Sequence, residues 1–142
     1  MKMKTKRNVI SLALLLGVTL FPQLSKKKKL IQKSTNVKIN GTSTLHDWNM
    51  TSTQSNFTGT VSGNAITDVR FVMKAESLKS KENAMDKNAY KALQTSKYPE
   101  LIFTATSLPA AGSTTITGNL TITNVTKPVK IPVTVKKNGT SY

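Results

Sequence analysis

The chain has 142 residues, room for one domain at most. Its 21 Lys and Arg against 6 Asp and Glu give a formal net charge of +15, and the lack of cysteine excludes disulfides and thiol chemistry. One histidine and a few carboxylates spread along the chain offer no zinc-like or calcium-like ligand spacing, so no metal or other cofactor is expected.

In chain order, Lys2, Lys4, Lys6 and Arg7 form a basic n-region ahead of the uncharged run Val9 to Phe21. That run is shorter than the roughly 20 residues a membrane-crossing helix needs, but it suits the core of an export signal. Residues 1–25 therefore read as a signal peptide with no Ala-x-Ala to mark the cut, and the mature protein as periplasmic or secreted. Residues 26–35 begin with the run Lys26 to Lys29, followed by Lys33, and read as a basic, disordered tail. Such a tail would favour transient contact with an anionic membrane surface. The remaining lysines are scattered and no recognised motif is present, so no nucleic-acid partner is expected.

From about Asn36 the chain reads mainly as strands. Val37-Ile39 opens the first, Phe57-Gly59-Val61 marks a second, and Val69-Phe71-Met73-Ala75 a third. Leu101-Phe103-Ala105 follows after an interruption, then Ile116-Gly118-Leu120-Ile122. In the last, Val129, Ile131, Val133 and Val135 alternate with Lys130, Pro132, Thr134 and Lys136. Period two throughout predicts antiparallel strands with one apolar and one wet face. Pro132 has no N–H for a ladder, which places that strand at a free edge or a bulge.

The interruption, "SKENAMDKNAYKALQTSKYPE", reads as a helix over about residues 81–94. Ser80 is the candidate cap, Glu82 and Asp86 lie near the positive end on an exposed face, and Lys87 and Lys91 lie towards the other end. Met85, Ala89, Ala92 and Leu93 recur at helical spacing as a narrow apolar stripe. Tyr98-Pro99 then forces an extended exit into the next strand. The expected layout is three strands, one helix, three strands.

The stretch "STLHDWNM" holds the only histidine, His46, and the only tryptophan, Trp48. Ser43, His46 and Asp47 are the ingredients of a hydrolytic triad. A regular strand, however, points Ser43 and Asp47 away from His46. Leu45 and Trp48, three apart, can both face inward only if a bulge or bend falls at His46-Asp47, so that stretch reads as a strand corner. No catalytic residue and no enzymatic activity are expected.

Four segments taken together, "INGTSTLHDWNM", "NAMDKNAYKAL", "YPELIFTATSL" and "GNLTITNVTKPVKIPVTV", resemble the YceI-like family of exported bacterial proteins over residues 36–136. The resemblance implies an all-β, lipocalin-like antiparallel β-barrel over residues 36–142 with one inserted helix. It also implies a non-enzymatic protein holding a long polyisoprenoid or prenyl-quinone tail, for transport, storage or sequestration. Each methylene moved out of water is worth about 0.8 kcal/mol, so such a tail needs no charged anchor. On that reading Phe71, Met73, Phe103, Leu120, Ile122, Ile131 and Val133 line the tunnel. Phe57 and Trp48 narrow one end, and Met85 and Leu93 cover it. Family members usually continue for two more strands, whereas this chain stops at "KKNGTSY". A barrel of about six strands, incomplete at its C-terminus, would keep two unpaired edges that invite homo-oligomer formation. The same alternation would also suit a structural or adhesive β-protein with a filled core and self-associating edges.

Overall fold

The computed structural model describes residues 27–142 and the dipeptide Leu15–Leu16. Apart from that dipeptide, the signal peptide expected over residues 1–25 lies outside the described residues. Ten strands and one α-helix follow in order: β1 (Leu15–Leu16), β2 (Lys28–Lys29), β3 (Gln32–Ser34), β4 (Val37–Thr42), β5 (Asp47–Ser52), β6 (Ser55–Ser62), β7 (Ala65–Lys74), α1 (Asn83–Leu93), β8 (Glu100–Pro109), β9 (Gly112–Ile122) and β10 (Val125–Val135). A short 3-10 turn, Ala75–Ser77, stands between β7 and α1. The fold is antiparallel β with one helix, as the period-two patterning predicts.

The main sheet runs β10-β9-β8-β7-β6-β2, while β4 pairs with β5 and β1 with β3 in two-stranded sheets. Consecutive strands from β6 to β10 are neighbours; short hairpins join β6 to β7, β8 to β9 and β9 to β10, while residues 75–99 with α1 connect β7 to β8. Gly63 (φ 60°) turns β6 into β7, and Thr123 (φ 49°) with Asn124 (φ 59°) turns β9 into β10. Two successive left-handed residues suit the right-handed twist of a two-residue hairpin. Among the described residues seven strands have six residues or more, where about six were expected. The extra one is β5, whose only apolar positions are Trp48 and Met50.

The β6–β7 register shifts between Thr58 opposite Arg70 and Thr60 opposite Thr67, so Asp68 and Val69 share one place in the ladder. Asp68 takes up the bulge in a left-handed conformation (φ 52°), which Asp tolerates better than most residues. The inward parity of β7 therefore slips from Ile66 to Val69, Phe71 and Met73. β8 slips at the same level, from Leu108 to Ala105 and Phe103. The pair bends together.

One core follows from this. Phe57, Ile66, Val69, Phe71, Met73 and Phe103 from the main sheet meet Val37, Trp48 and Met50 from the β4–β5 hairpin. Helix α1 adds Ala89 and Leu93, with Met85 at the margin. Residues 27–35 correct the expectation of a disordered tail. Lys28 and Lys29 pair with Val61 and Thr60, the Leu30 N–H donates to the Gly59 carbonyl (2.9 Å), and Leu30 is buried. Gln32 then spans the β6 backbone, its Nε2 donating to the Ser55 carbonyl (2.9 Å) and its Oε1 accepting the Phe57 N–H (2.5 Å). Lys29 is exposed and Lys28 half-buried, while Leu30 points in.

The helix is held differently from the expectation. Glu82, not Ser80, occupies the N-cap, and it makes no side-chain cap bond. Ala92 is exposed, and Asp86, expected on an exposed face, is buried on the inner stripe instead. Its Oδ1 accepts the Ser80 N–H and the Ser80 hydroxyl, each at 2.7 Å. Burial pushes the Asp86 carboxyl up, but the two Ser80 hydrogen bonds and the nearby Lys79 outweigh it and hold the carboxyl below its ordinary value. A lowered folded-state pKa stabilises the fold fully above the ordinary carboxylate range. That contribution is lost as pH falls through the lowered value. Asp86→Asn is therefore expected to flatten the pH dependence of unfolding between about pH 5 and 2. Urea titrations at several acidic pH values check this; parallel curves for the two proteins would contradict it.

Candidate functional site

The "STLH" stretch, residues 43–46, is a hairpin loop, which corrects the expected strand corner. β4 ends at Thr42 and β5 begins at Asp47, so Leu45 sits at the tip, 89 % exposed, and does not share an inward face with Trp48. The Ser43 hydroxyl donates to the His46 carbonyl (2.8 Å) and accepts the N–H groups of Leu45 (3.3 Å) and His46 (3.2 Å). It closes the turn and has no proton to share with the imidazole. Ser43, His46 and Asp47 are all exposed, and no triad forms. Among the described residues no three His, Cys, Asp or Glu side chains are grouped to hold a metal ion.

Trp48 points inward from β5. Its indole lies on Gly41, the residue opposite it on β4, so closely that a Cβ there would fall within the ring. Its Nε1 is buried and has no hydrogen-bond partner among the described residues. An unpaired buried donor costs about 1–3 kcal/mol.

The residues expected to line a tunnel divide into two groups. Trp48, Phe57, Phe71, Met73, Leu93 and Phe103 are buried within the core, where neighbouring side chains already cover them. Met85, Leu120, Ile122, Ile131 and Val133 are half-buried and pack against that core from one side. Val129 belongs with the second group, although the sequence did not single it out from its strand. The second group lies on β9, β10 and the helix.

β10 pairs with β9 without a break from Val125 to Val135 and, among the described residues, ends the main sheet. Pro132 thus lies on a terminal strand, as its missing N–H predicts. Pro128, of the same parity, removes a second donor from that edge. Lys127 and Lys130 add exposed charge. The inner side of the strand is apolar, and its outer side is poorly suited to further pairing.

A second opening lies inside the sheet. β8 and β9 pair only at Ile102–Thr121, Phe103–Leu120 and Thr104–Asn119. Beyond Thr104, β8 remains paired with β7 as far as Pro109, and β9 remains paired with β10 as far as Gly112. The direct ladder between the two halves of the sheet ends there. A cleft of about 300 Å³ lies beside the end of that ladder, lined by Thr104, Ala105, Thr106, Thr117, Gly118 and Asn119.

The sequence matches the YceI-like domain family over residues 16–141. No curated protein and no solved structure matches it.

Proposed function

The chain belongs to the YceI-like family, and on that premise we propose that it is an exported, non-enzymatic binding protein for a long apolar lipid of polyisoprenoid or prenyl-quinone type. The observation that carries this reading is the half-covered apolar row Leu120, Ile122, Val129, Ile131 and Val133, backed by the buried core. Five aliphatic side chains left partly wet on an inward face gain free energy when a flexible hydrocarbon covers them, at about 25 cal/mol per Å². The buried aromatic group forms the floor of the site. The tail lies along β9 and β10, and a lipocalin-like barrel closes over it once the ligand completes the wall. Periplasmic or secreted localisation, and contact of the basic residues near Lys26–Lys29 with an anionic membrane, fit a protein that collects its ligand from a bilayer.

Protein purified under native conditions is expected to release an isoprenoid into organic solvent, identified by mass spectrometry of the intact complex and of the extract. Ile131→Lys, which places a charge in the row, is expected to abolish the adduct without unfolding the protein. A natively purified protein with no extractable lipid would count against the carrier.

The half-covered row of β10 also favours a second reading, a structural or adhesive β-protein that pairs with copies of itself. Pro128, Pro132 and the flanking lysines oppose strand-to-strand association at that edge. Concentration-dependent association of lipid-free protein would favour the second reading over the first.

A further inference from the structure

We propose that the seam between β8 and β9 is the side entrance by which the lipid reaches the core, and that its polar head group comes to rest there. This inference rests on the lipid-binding reading above. Three observations carry it. First, the ladder stops at Thr104–Asn119 although both strands continue, so the wall is interrupted where each strand still has a partner on its other side.

Second, the inward positions at the seam hold little side-chain volume. Extending the register past Thr104–Asn119 sets Ala105 beside Gly118, and Gly118 is paired on its far side with Val129. The Phe103 ring and the Thr104 carbonyl oxygen lie against Gly118 in the space that a side chain would otherwise fill, and they close the seam at this level. A molecule passing between Ala105 and Gly118 therefore displaces the Phe103 ring, which acts as the plug of the entrance, before it meets the half-covered row on β10.

Third, polarity changes in the right direction along that path. Thr106, Thr117 and Asn119 are exposed at the mouth, Thr104 and Ala105 are half-buried, and Gly118 and Phe103 are buried. Hydroxyl and amide groups at the rim suit the hydroxyl or carbonyl oxygens of an isoprenoid alcohol or quinone, and the apolar interior suits the tail. The cleft lining is itself uncharged, while exposed Arg70, paired with Thr104, and exposed Lys130, paired with Thr117, flank it and would also meet an anionic head group. The class of ligand is thus an isoprenoid amphiphile whose head group carries oxygen acceptors.

The absence of native cysteine makes the test clean. The double variant Thr106→Cys/Thr117→Cys, at two exposed positions on opposite sides of the seam, is bridged with a short bis-methanethiosulfonate and later released with dithiothreitol. Loading of the delipidated protein is followed by the fluorescence of dansyl-farnesol. Bridging is expected to slow loading about tenfold or more, and release to restore it in the same sample. Ala105→Leu, which narrows the seam from inside, is expected to slow loading without any cross-link. Unchanged loading rates in both the bridged protein and Ala105→Leu would overturn the entrance while leaving the lipid site intact. Failure of every form, wild type included, to take up the probe would overturn the lipid reading and the entrance with it.

Discussion

Truncating Phe57 to alanine is expected to cost about 3–5 kcal/mol, a large share of the stability of a domain this size. Phe57 is 2 % exposed and sits where β6, the β4–β5 hairpin and the bent pair β7–β8 converge. Its backbone N–H is also held by Gln32 Oε1, so the strand cannot easily shift to fill the void. Its neighbour Thr58 faces water, and Thr58→Ala is expected to change stability by no more than about 0.5 kcal/mol. Urea unfolding of the two variants, followed by Trp48 fluorescence, compares the faces of one strand. Equal midpoints would contradict a core centred on Phe57.

Gly41→Ala is expected to be the second most damaging change, although it adds one methyl group. The added carbon would overlap the Trp48 indole, and the ring has a buried neighbourhood on its other sides. Overpacking of this kind costs about 1–3 kcal/mol. Because Trp48 is the only tryptophan, its displacement should appear directly as a red shift of emission. Removing the ring should remove the conflict. In a Trp48→Leu background the cost of Gly41→Ala is expected to shrink towards zero, a coupling that a double-mutant cycle measures. An unshifted spectrum together with additive costs would show that Gly41 and the indole do not meet.

Legibility in the sequence followed the strength of the alternation. β7, β9 and β10 carry three or four apolar residues at alternate positions, and the helix has Met85, Ala89 and Leu93 at successive turns; these elements were readable. β5 offers only Trp48 and Met50, too few for a period to stand out. The same signal, two apolar residues three apart, occurs at Leu45/Trp48 and at Ile66/Val69. In the first case it marks a turn with Leu45 at its tip, and in the second a bulge at Asp68. Spacing alone does not separate the two, because the difference lies in which strand is alongside.

The candidate site was legible in part. Leu120, Ile122, Ile131 and Val133 were visible as inward residues of regular strands. That they would be half-covered while Phe57 and Phe71 would be enclosed depends on the order of strands in the sheet. The seam left no trace at all, since β8 and β9 each read as continuous strands and nothing in either says where their pairing ends. Ser80 and Asp86 had a recognisable capping vocabulary, but it is used to bury a carboxylate instead of closing the helix end.

The short junction at Ile102–Thr104 also bears on how the protein breathes. β9 and β10 form a hairpin with local contacts and a two-residue turn. Three ladder pairs, together with the bond from the Thr123 hydroxyl to the Leu93 carbonyl, tie that hairpin's backbone to the rest. Such a ribbon can swing out and return as a unit while the remaining strands stay folded, so its amides would trade protons with solvent sooner than those of β6 and β7. One side of the sheet would then double as a hinge.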